Sequence, residues 1–379
     1  MKCGISKERI DTDVLKVLHL IPDLDYCGAG KQLVLLAKHL PRERFEIRVC
    51  ALGPAGPLLD ALRDAAVPVK VLNWTRLIDI RPYLTIRSLL KEFRPHLIHA
   101  WRQPAWRFAC LAAPSRPLLA SALNLNNSDR PKVAGLDRWL ARRSTRLFAA
   151  STSEADFCFA HGIPRRALLV ANAAVESVAP NRQNRPSVRD SLALPANARV
   201  ILCVGPLEVK KGFIDAIWAF DILKYLYGDL HLVIVGDGPD RWRLEQFVRT
   251  DEARVDVHFV GKAKDIGPFF ELAEVVWVPS RIERGVNVVL EAMAAGRPVV
   301  ASRLPAIEAV VGDDETGLLF LPGDKVALAR QTRQLLDDQD RRRRLIRAAQ
   351  QRAALCCNVQ GFIETYAEAY DEAFAAQRL

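Results

Sequence analysis

At 379 residues, 50% of them hydrophobic and 26% charged, the chain is long enough for two domains of ordinary size and apolar enough to give each a core. No apolar run reaches bilayer-spanning length and the opening MKCGISKERIDTD has no apolar block like that of a secretory leader, so the expected location is cytoplasmic. The net charge of +10 is uneven: residues 1–180 hold 27 Lys+Arg against 16 Asp+Glu (net +11), leaving 27 against 28 (net −1) for 181–379.

The basic first half lacks aromatic and basic interleaving, a zinc-finger pattern or a recognition helix, so nucleic acid is not the expected partner. An anionic membrane surface or an anionic acceptor fits better, since each basic side chain that reaches such a surface contributes on the order of 1 kcal/mol. That suggests peripheral docking on the inner face of the membrane. The eight cysteines (Cys3, Cys27, Cys50, Cys110, Cys158, Cys203, Cys356, Cys357) form no CxxC pair and read as reduced residues, several in apolar runs.

In chain order, Leu15 to Ile21 reads as a strand, Ala29 to Leu40 as a helix and Phe45 to Ala51 as a strand; His96 to Ala100 and Leu118 to Ala122 read as two more strands. Strand and helix alternate, which indicates a parallel sheet with covering helices. The pattern breaks in the polar, Pro-punctuated stretch Ala179 to Pro186, and a second series opens at Val200-Ile201-Leu202-Cys203-Val204. The expected divisions are a first domain over 1–178, a linker over 179–198, a second domain over 199–358 and a last helix over 359–379. Two doubly wound domains place a cleft between the carboxyl ends of their strands, where ligands of open α/β sheets bind. The run Arg341-Arg342-Arg343-Arg344, after Asp337-Asp338, is expected on a solvated helix face.

The segment SRIERGVNVVLEAMAAGRPVVAS over 280–302 carries the most chemistry. Asn287 to Ala295 are good helix formers, Gly296 suits the C′ position, and Pro298 opens the strand-like run to Ala301. Glu283 then lies in the loop before a helix and Glu291 about one turn inside it, with free backbone N–H groups between them at Val286, Asn287 and Val288. Such groups favour phosphate, and an ionised carboxylate accepts hydrogen bonds from a sugar diol. A nucleotide sugar has both parts.

This segment resembles the signature of the retaining glycosyltransferases of group 1 (family 4). The resemblance continues in order through Val204-Gly205 with Lys211-Gly212-Phe213, then His231-Leu232-Val233-Ile234-Val235-Gly236-Asp237-Gly238-Pro239, then Val257-His258-Phe259-Val260-Gly261. It is fainter at Cys27-Gly28-Ala29-Gly30-Lys31-Gln32, Pro95-His96-Leu97-Ile98-His99-Ala100, Ser151-Thr152-Ser153-Glu154 and Val170-Ala171-Asn172. It implies the GT-B fold, an α/β architecture of two Rossmann-like domains facing across a cleft, with the last helix, around Phe362 to Ala375, crossing back to the first domain. It also implies a metal-independent hexosyltransferase with no cofactor, which moves a sugar from a nucleotide-diphosphate donor to a hydroxyl of a glycan or glycolipid acceptor, with retention, in cell-envelope synthesis.

The resemblance assigns Lys211 to phosphate, Glu283 to the donor sugar and reacting centre, and Glu291 to the ribose diol. Gly28, Gly205, Lys210, Arg284, Gly285, Val286, Asn287 and Val288 are the further donor-binding candidates, with Gly261 and Lys262 near the base. Asp23-Leu24-Asp25 looks like a metal-binding DxD, yet the resembling family works without a metal. Trp101, Arg102, Trp106 and Arg107 suit an acceptor by aromatic packing on sugars and anion binding, or else ordinary packing.

Several positions depart from the family pattern. Cys27 and Gly30 stand where a glycine and an acidic residue are usual. Pro206 replaces a phosphate-binding Arg; Leu123 or Asn124 stands where a His is usual, while His99 reads as structural. Arg284-Gly285-Val286 departs from the usual loop, and Arg284 could restore part of the missing charge. A charge-assisted hydrogen bond contributes about 1.5 to 3 kcal/mol, so loss of the Arg weakens phosphate stabilisation roughly tenfold to a hundredfold. A second class of function therefore stands beside the enzyme: a GT-B-like nucleotide-sugar-binding or scaffold protein.

Overall fold

Runs of Val, Ile and Leu bounded by Gly, Pro and Asp form short strands buried on both faces, the pattern of a parallel sheet covered by helices. The computed structural model describes residues 14–74, 81–123, 135–171, 173–175, 188–250, 256–283, 285–356 and 358–378. The first sheet contains β1 (Leu15–Ile21), β2 (Phe45–Ala51), β3 (Val69–Val71), β4 (Leu97–Trp101), β5 (Leu118–Ser121), β6 (Arg146–Ala149) and β7 (Leu168–Val170). Its order is β3-β2-β1-β4-β5-β6-β7, with every pair parallel. The second contains β8 (Arg199–Val204), β9 (Leu230–Val235), β10 (Val257–Gly261), β11 (Ala273–Val278), β12 (Val299–Ser302) and β13 (Leu318–Phe320), in the order β10-β9-β8-β11-β12-β13.

Both sheets are doubly wound, as expected. The strand order reverses between β1 and β4 in the first and between β8 and β11 in the second. A crevice opens beyond the carboxyl ends of strands at such a reversal. The loops after β1, β4, β8 and β11 accordingly carry the residues that face between the domains.

Each sheet has a core on either face. In the first domain Leu33 and Leu36 of the helix Gly28–His39 meet Phe362, Tyr366 and Tyr370 of the helix Val359–Arg378, so the last helix completes a core begun more than 300 residues earlier. Trp106, Ile86 and Phe93 fill the opposite face. In the second domain Phe213, Phe220 and Trp277 lie on one side, and Met293, Phe270 and Ala349 on the other. Leu194 and Ala198, just before β8, are buried in that second core, whereas residues 179–187 of the expected linker lie outside the described residues.

A buried polar network ties the last helix to the first sheet. His99 Nδ1 lies 2.6 Å from the Tyr370 hydroxyl and Nε2 lies 2.8 Å from Ser121 Oγ, which is itself 3.1 Å from the Tyr366 hydroxyl. Trp101 Nε1 donates to His19 Nδ1 at 3.0 Å. Burial drives the His19 imidazole down to about 3 and pushes His99 well below the ordinary value, with His19 adding to the effect. His99 is thus a neutral, structural histidine, as its strand position suggested. Cys50, Cys110, Cys158 and Cys203 are buried free thiols, while Cys3 and Cys357 lie outside the described residues. The arginine run is only half as expected: Arg343 and Arg344 are exposed, whereas Arg341 is anchored to Asp314 and Arg342 to Glu274.

Candidate active site

A cavity of about 360 Å³ lies between the domains, walled by the loops after β1, β4, β5, β8 and β11. The second domain contributes Gly205, Pro206, Lys210, Lys211, Glu283, Gly285, Val286, Asn287 and Val288, and the first contributes Gly28, Trp101, Arg102, Ser121, Ala122, Phe148 and Glu154. Phe362 and Tyr366 of the last helix close one side.

Two second-domain loops are clamped together. After β8 the chain makes a 3₁₀ turn over Val209–Lys211, and Gly212, at φ +69°, starts the helix Phe213–Lys224. A Cβ on Gly212 would stand 2.0 Å from the Pro279 carbonyl oxygen, so only glycine allows this backbone-on-backbone packing. Arg281 N donates to Lys210 O at 2.8 Å, and the Arg281 guanidinium forks onto Asp215 with two bonds of 2.9 Å. Those bonds raise the Arg281 pKa further. The clamp brings Lys211 and Glu283 together: Lys211 Nζ donates to Glu283 Oε2 at 2.5 Å, Ser280 Oγ donates to the same oxygen at 2.9 Å, and Gly285 N to Oε1 at 3.4 Å. The cavity wall thus presents an ammonium and an oriented carboxylate side by side. Lys210 pairs with Glu208 at the cavity edge.

The helix expected over Asn287 to Ala295 spans Asn287–Ala294, with Gly296 at φ +67° after it. Val286 is its N-cap, and no side chain caps the first turn, so the turn offers backbone donors to an anion in the cavity. Glu291 lies in the second turn, buried, and receives Lys31 Nζ from the first domain at 2.7 Å. Gly28 faces the second domain: a Cβ there would come 3.0 Å from Asn287 Nδ2, so a larger residue requires the Asn287 side chain to shift.

Gly261 and Lys262 do not line the cavity; Gly261, at φ +83°, bridges to Gly236, and Lys262 Nζ reaches across the domains to Asp25 Oδ2 at 2.9 Å. The hydrogen bond to Asp25 raises the Lys262 pKa. Asp23 pairs with Arg102 at 2.7 Å, so the two acids of the DxD-like tripeptide are held by different cations. Arg284 and Asn124 lie outside the described residues.

Two expectations need correction. Leu123 does not occupy a place beside the donor site: it is buried in the first-domain core, and Ser121 and Ala122 line the cavity instead. A positive φ of 53° at Ala122 turns the chain so that Leu123 faces inward. Of the four acceptor candidates, Trp101 and Arg102 line the cavity, whereas Trp106 and Arg107 do not. Trp106 is fully buried and donates to Ser144 Oγ at 2.8 Å, and Arg107 forks onto Asp137 with two bonds of 2.8 Å. Trp106 thus meets the packing alternative, while Arg107, its side chain 40% exposed, is held as the ion-pair partner of Asp137.

Lys31 and Glu154 escaped assignment, although both lay inside stretches already singled out. Glu154 had a local signal: it stands three residues after the N-cap Ser151, whose Oγ accepts its N–H at 3.2 Å, and its Oε2 accepts from Ala150 N at 2.8 Å. Lys31 had none, because its partner is 260 residues away.

Two family profiles divide the chain between them: Glycosyltransferase Family 4 matches residues 26–175 and Glycosyl transferases group 1 matches residues 184–352. The chain belongs to the group 1 (family 4) glycosyltransferases. The lipopolysaccharide core biosynthesis glycosyltransferase LpsD of Rhizobium meliloti is 28% identical over 76% of this chain and 79% of its own length. A glycogen synthase of Mycobacterium tuberculosis is 31% identical over 58% of this chain and 52% of its own, so the chain spans about half of that relative. Among solved structures, Anabaena Alr3699/HepE in complex with UDP and glucose superposes with a TM-score of 0.82 at 21% identity, covering 94% of this chain and 99% of that one. That likeness shows the GT-B fold. Among the described residues, no helix of this glycosyltransferase is long and apolar enough to cross a membrane.

Proposed function

We propose that this glycosyltransferase moves a hexose from a nucleoside diphosphate sugar to a hydroxyl of a glycan or glycolipid, with retention and without a metal, in building a cell-envelope polymer or glycolipid. The observation that carries the reading is the joint placement of Lys211, Glu283 and the uncapped Asn287 turn at one cavity, with Glu291 one turn behind. The departing diphosphate develops negative charge, and a fixed ammonium with backbone donors stabilises it without a metal. Glu283 then orients the sugar and Glu291 receives the ribose diol. Engagement of Asp23 by Arg102 and of Asp25 by Lys262 supports the metal-free reading. The lipopolysaccharide core activity in the name of LpsD supports the envelope role, and the UDP-glucose complex of HepE supports a nucleotide-sugar donor.

A cytoplasmic, peripheral association with the inner membrane face belongs to the same proposal. Leu136 and Trp139 of the helix Gly135–Ala141 and Phe159 of the helix Thr152–Ala160 are exposed, with Arg143 stacked 4.1 Å above Trp139 and Arg165 4.9 Å above Phe159. Aromatic tips flanked by guanidinium groups suit a headgroup layer. The weakened binding or scaffold alternative keeps one specific support: Pro206 lines the cavity and brings no cation to it.

The test is incubation of purified protein with a panel of labelled nucleotide sugars, with and without lipid extract and with a chelator, followed by the anomeric configuration of the product. Chelator-resistant transfer with retention is expected. Inversion, a metal requirement, or donor binding without transfer to any acceptor would each overturn the corresponding part.

A further inference from the structure

Glu291 is held in an unusual way. Its side chain is only 7% exposed, Oε1 receives the Lys31 ammonium at 2.7 Å, and Oε2 is buried with no hydrogen-bond partner among the described residues. A bare carboxylate oxygen in a protein interior is costly, because it has given up water and gained nothing. A ligand hydroxyl that supplies the missing donor removes that cost. The cation that fixes the other oxygen comes from the opposite domain, out of the helix Gly28–His39.

That helix is itself anchored. The neighbouring Gln32 exchanges two hydrogen bonds with the Ala174 backbone, Nε2 to O at 2.7 Å and N to Oε1 at 3.0 Å. Gly28, at its start, faces Asn287 of the second domain, with 3.0 Å between a would-be Cβ and Asn287 Nδ2. Lys31 therefore projects from a fixed base, at a fixed gap, onto Glu291.

We propose that Lys31 is a positioning residue for the donor ribose: it pins Glu291 Oε1 from across the cleft so that Oε2 accepts from a ribose hydroxyl. This rests on the reading of Glu291 given under Proposed function. The two donors use different carboxylate oxygens, so Lys31 stays in place when the ligand binds. Ribose recognition then requires the closed arrangement of the domains, and the first domain, otherwise the acceptor side, takes part in selecting the donor. Charge-assisted hydrogen bonds of this kind are worth roughly tenfold to a hundredfold in affinity.

The test compares wild type, Lys31→Met, Lys31→Arg and Glu291→Gln by calorimetric binding of the nucleoside diphosphate that binds best among the four common bases, and of its 2′,3′-dideoxy counterpart. Wild type should prefer the ribonucleotide about tenfold or more. Lys31→Met should collapse that preference to within about threefold, while its affinity for the dideoxy ligand stays near the wild-type value; Lys31→Arg should keep most of the preference. Lys31→Met in the Glu291→Gln background should change the preference no further. If Lys31→Met weakens both ligands equally, Lys31 is a phosphate cation or a fold contact and the inference fails. It also fails if the preference survives in Lys31→Met. If wild type binds no nucleoside diphosphate, or binds without preferring ribose, the role of Glu291 itself is wrong.

Discussion

Replacing Lys211 by Met tests whether the buried pair at the centre of the cleft is coupled. The Lys211 and Glu283 side chains are 18% and 10% exposed, so a Glu283 carboxylate left without the lysine is poorly hydrated. Removing one member of a fully buried pair costs about 3 to 5 kcal/mol. Here Glu283 keeps the Ser280 hydroxyl at 2.9 Å, so the cost should be less, about 2 kcal/mol. For a domain of this size that lowers the melting temperature by about 4 to 8 °C. Glu283→Gln should cost only about 1 kcal/mol, because the lysine stem can carry its ammonium toward water. The double substitution, with no unpaired charge, should be more stable than Lys211→Met. Calorimetric melts of the four ligand-free proteins at pH 7 give the cycle, and initial rates with saturating donor give turnover, which should fall at least about a hundredfold in both single variants. If the double variant melts at or below Lys211→Met, or Lys211→Met melts with wild type, the pair is not coupled and the electrostatic account of the site fails.

Because burial holds His19 near 3 and His99 well below 6.5, the unfolded chain binds protons below pH 6.5 that the folded chain refuses. Stability should be full above pH 6.5 and fall as the pH drops toward 3, with each histidine contributing up to about 1.4 kcal/mol per pH unit; urea midpoints between pH 7.5 and 4.5 that do not move would contradict this. Gly212→Ala should destabilise the second domain by more than about 2 kcal/mol, since the new Cβ meets Pro279 O at 2.0 Å and φ is +69°; a urea midpoint equal to wild type would show that the loop clamp is soft. Sedimentation with phosphatidylglycerol vesicles should exceed that with neutral vesicles, fade with salt, and weaken about tenfold in Trp139→Ala; equal partitioning onto both lipids would leave the basic surface as a solubility feature.

What could be read from the chain alone is what depends on near neighbours. β1 and β2 match the expected Leu15 to Ile21 and Phe45 to Ala51 residue for residue, because an apolar run bounded by turn residues is a local signal. The helix beginning at Asn287 and its stop at Gly296 were legible for the same reason. The pairing of Lys211 with Glu283 was not, since it depends on Gly212 packing against Pro279 and on Arg281 clamping Asp215. Trp106 and Arg107 looked like acceptor residues because sequence gives the side chain without the direction it faces. Ser144 holds Trp106 inside the core, and Asp137 engages the Arg107 guanidinium. Lys31 lay farthest from view, since its meaning requires both domains.

The helix Val359–Arg378 has a consequence for how this enzyme is made. Its tyrosines supply hydrogen-bond partners to His99 and Ser121, and its apolar face covers a sheet whose last strand ends at Val170, long before the helix opens at Val359. During synthesis the first sheet therefore emerges with that face covered only in part, by the first domain's own Leu33, Leu36, Leu58 and Leu62, while the whole second domain is still being threaded out. A ribosome-bound chain arrested before residue 359 should bind a hydrophobic dye or a holdase, and release it once the final helix arrives. Recombination that trades one half of such an enzyme for another's must carry the distant helix along with the first domain, so the unit that can be exchanged is discontinuous in the gene.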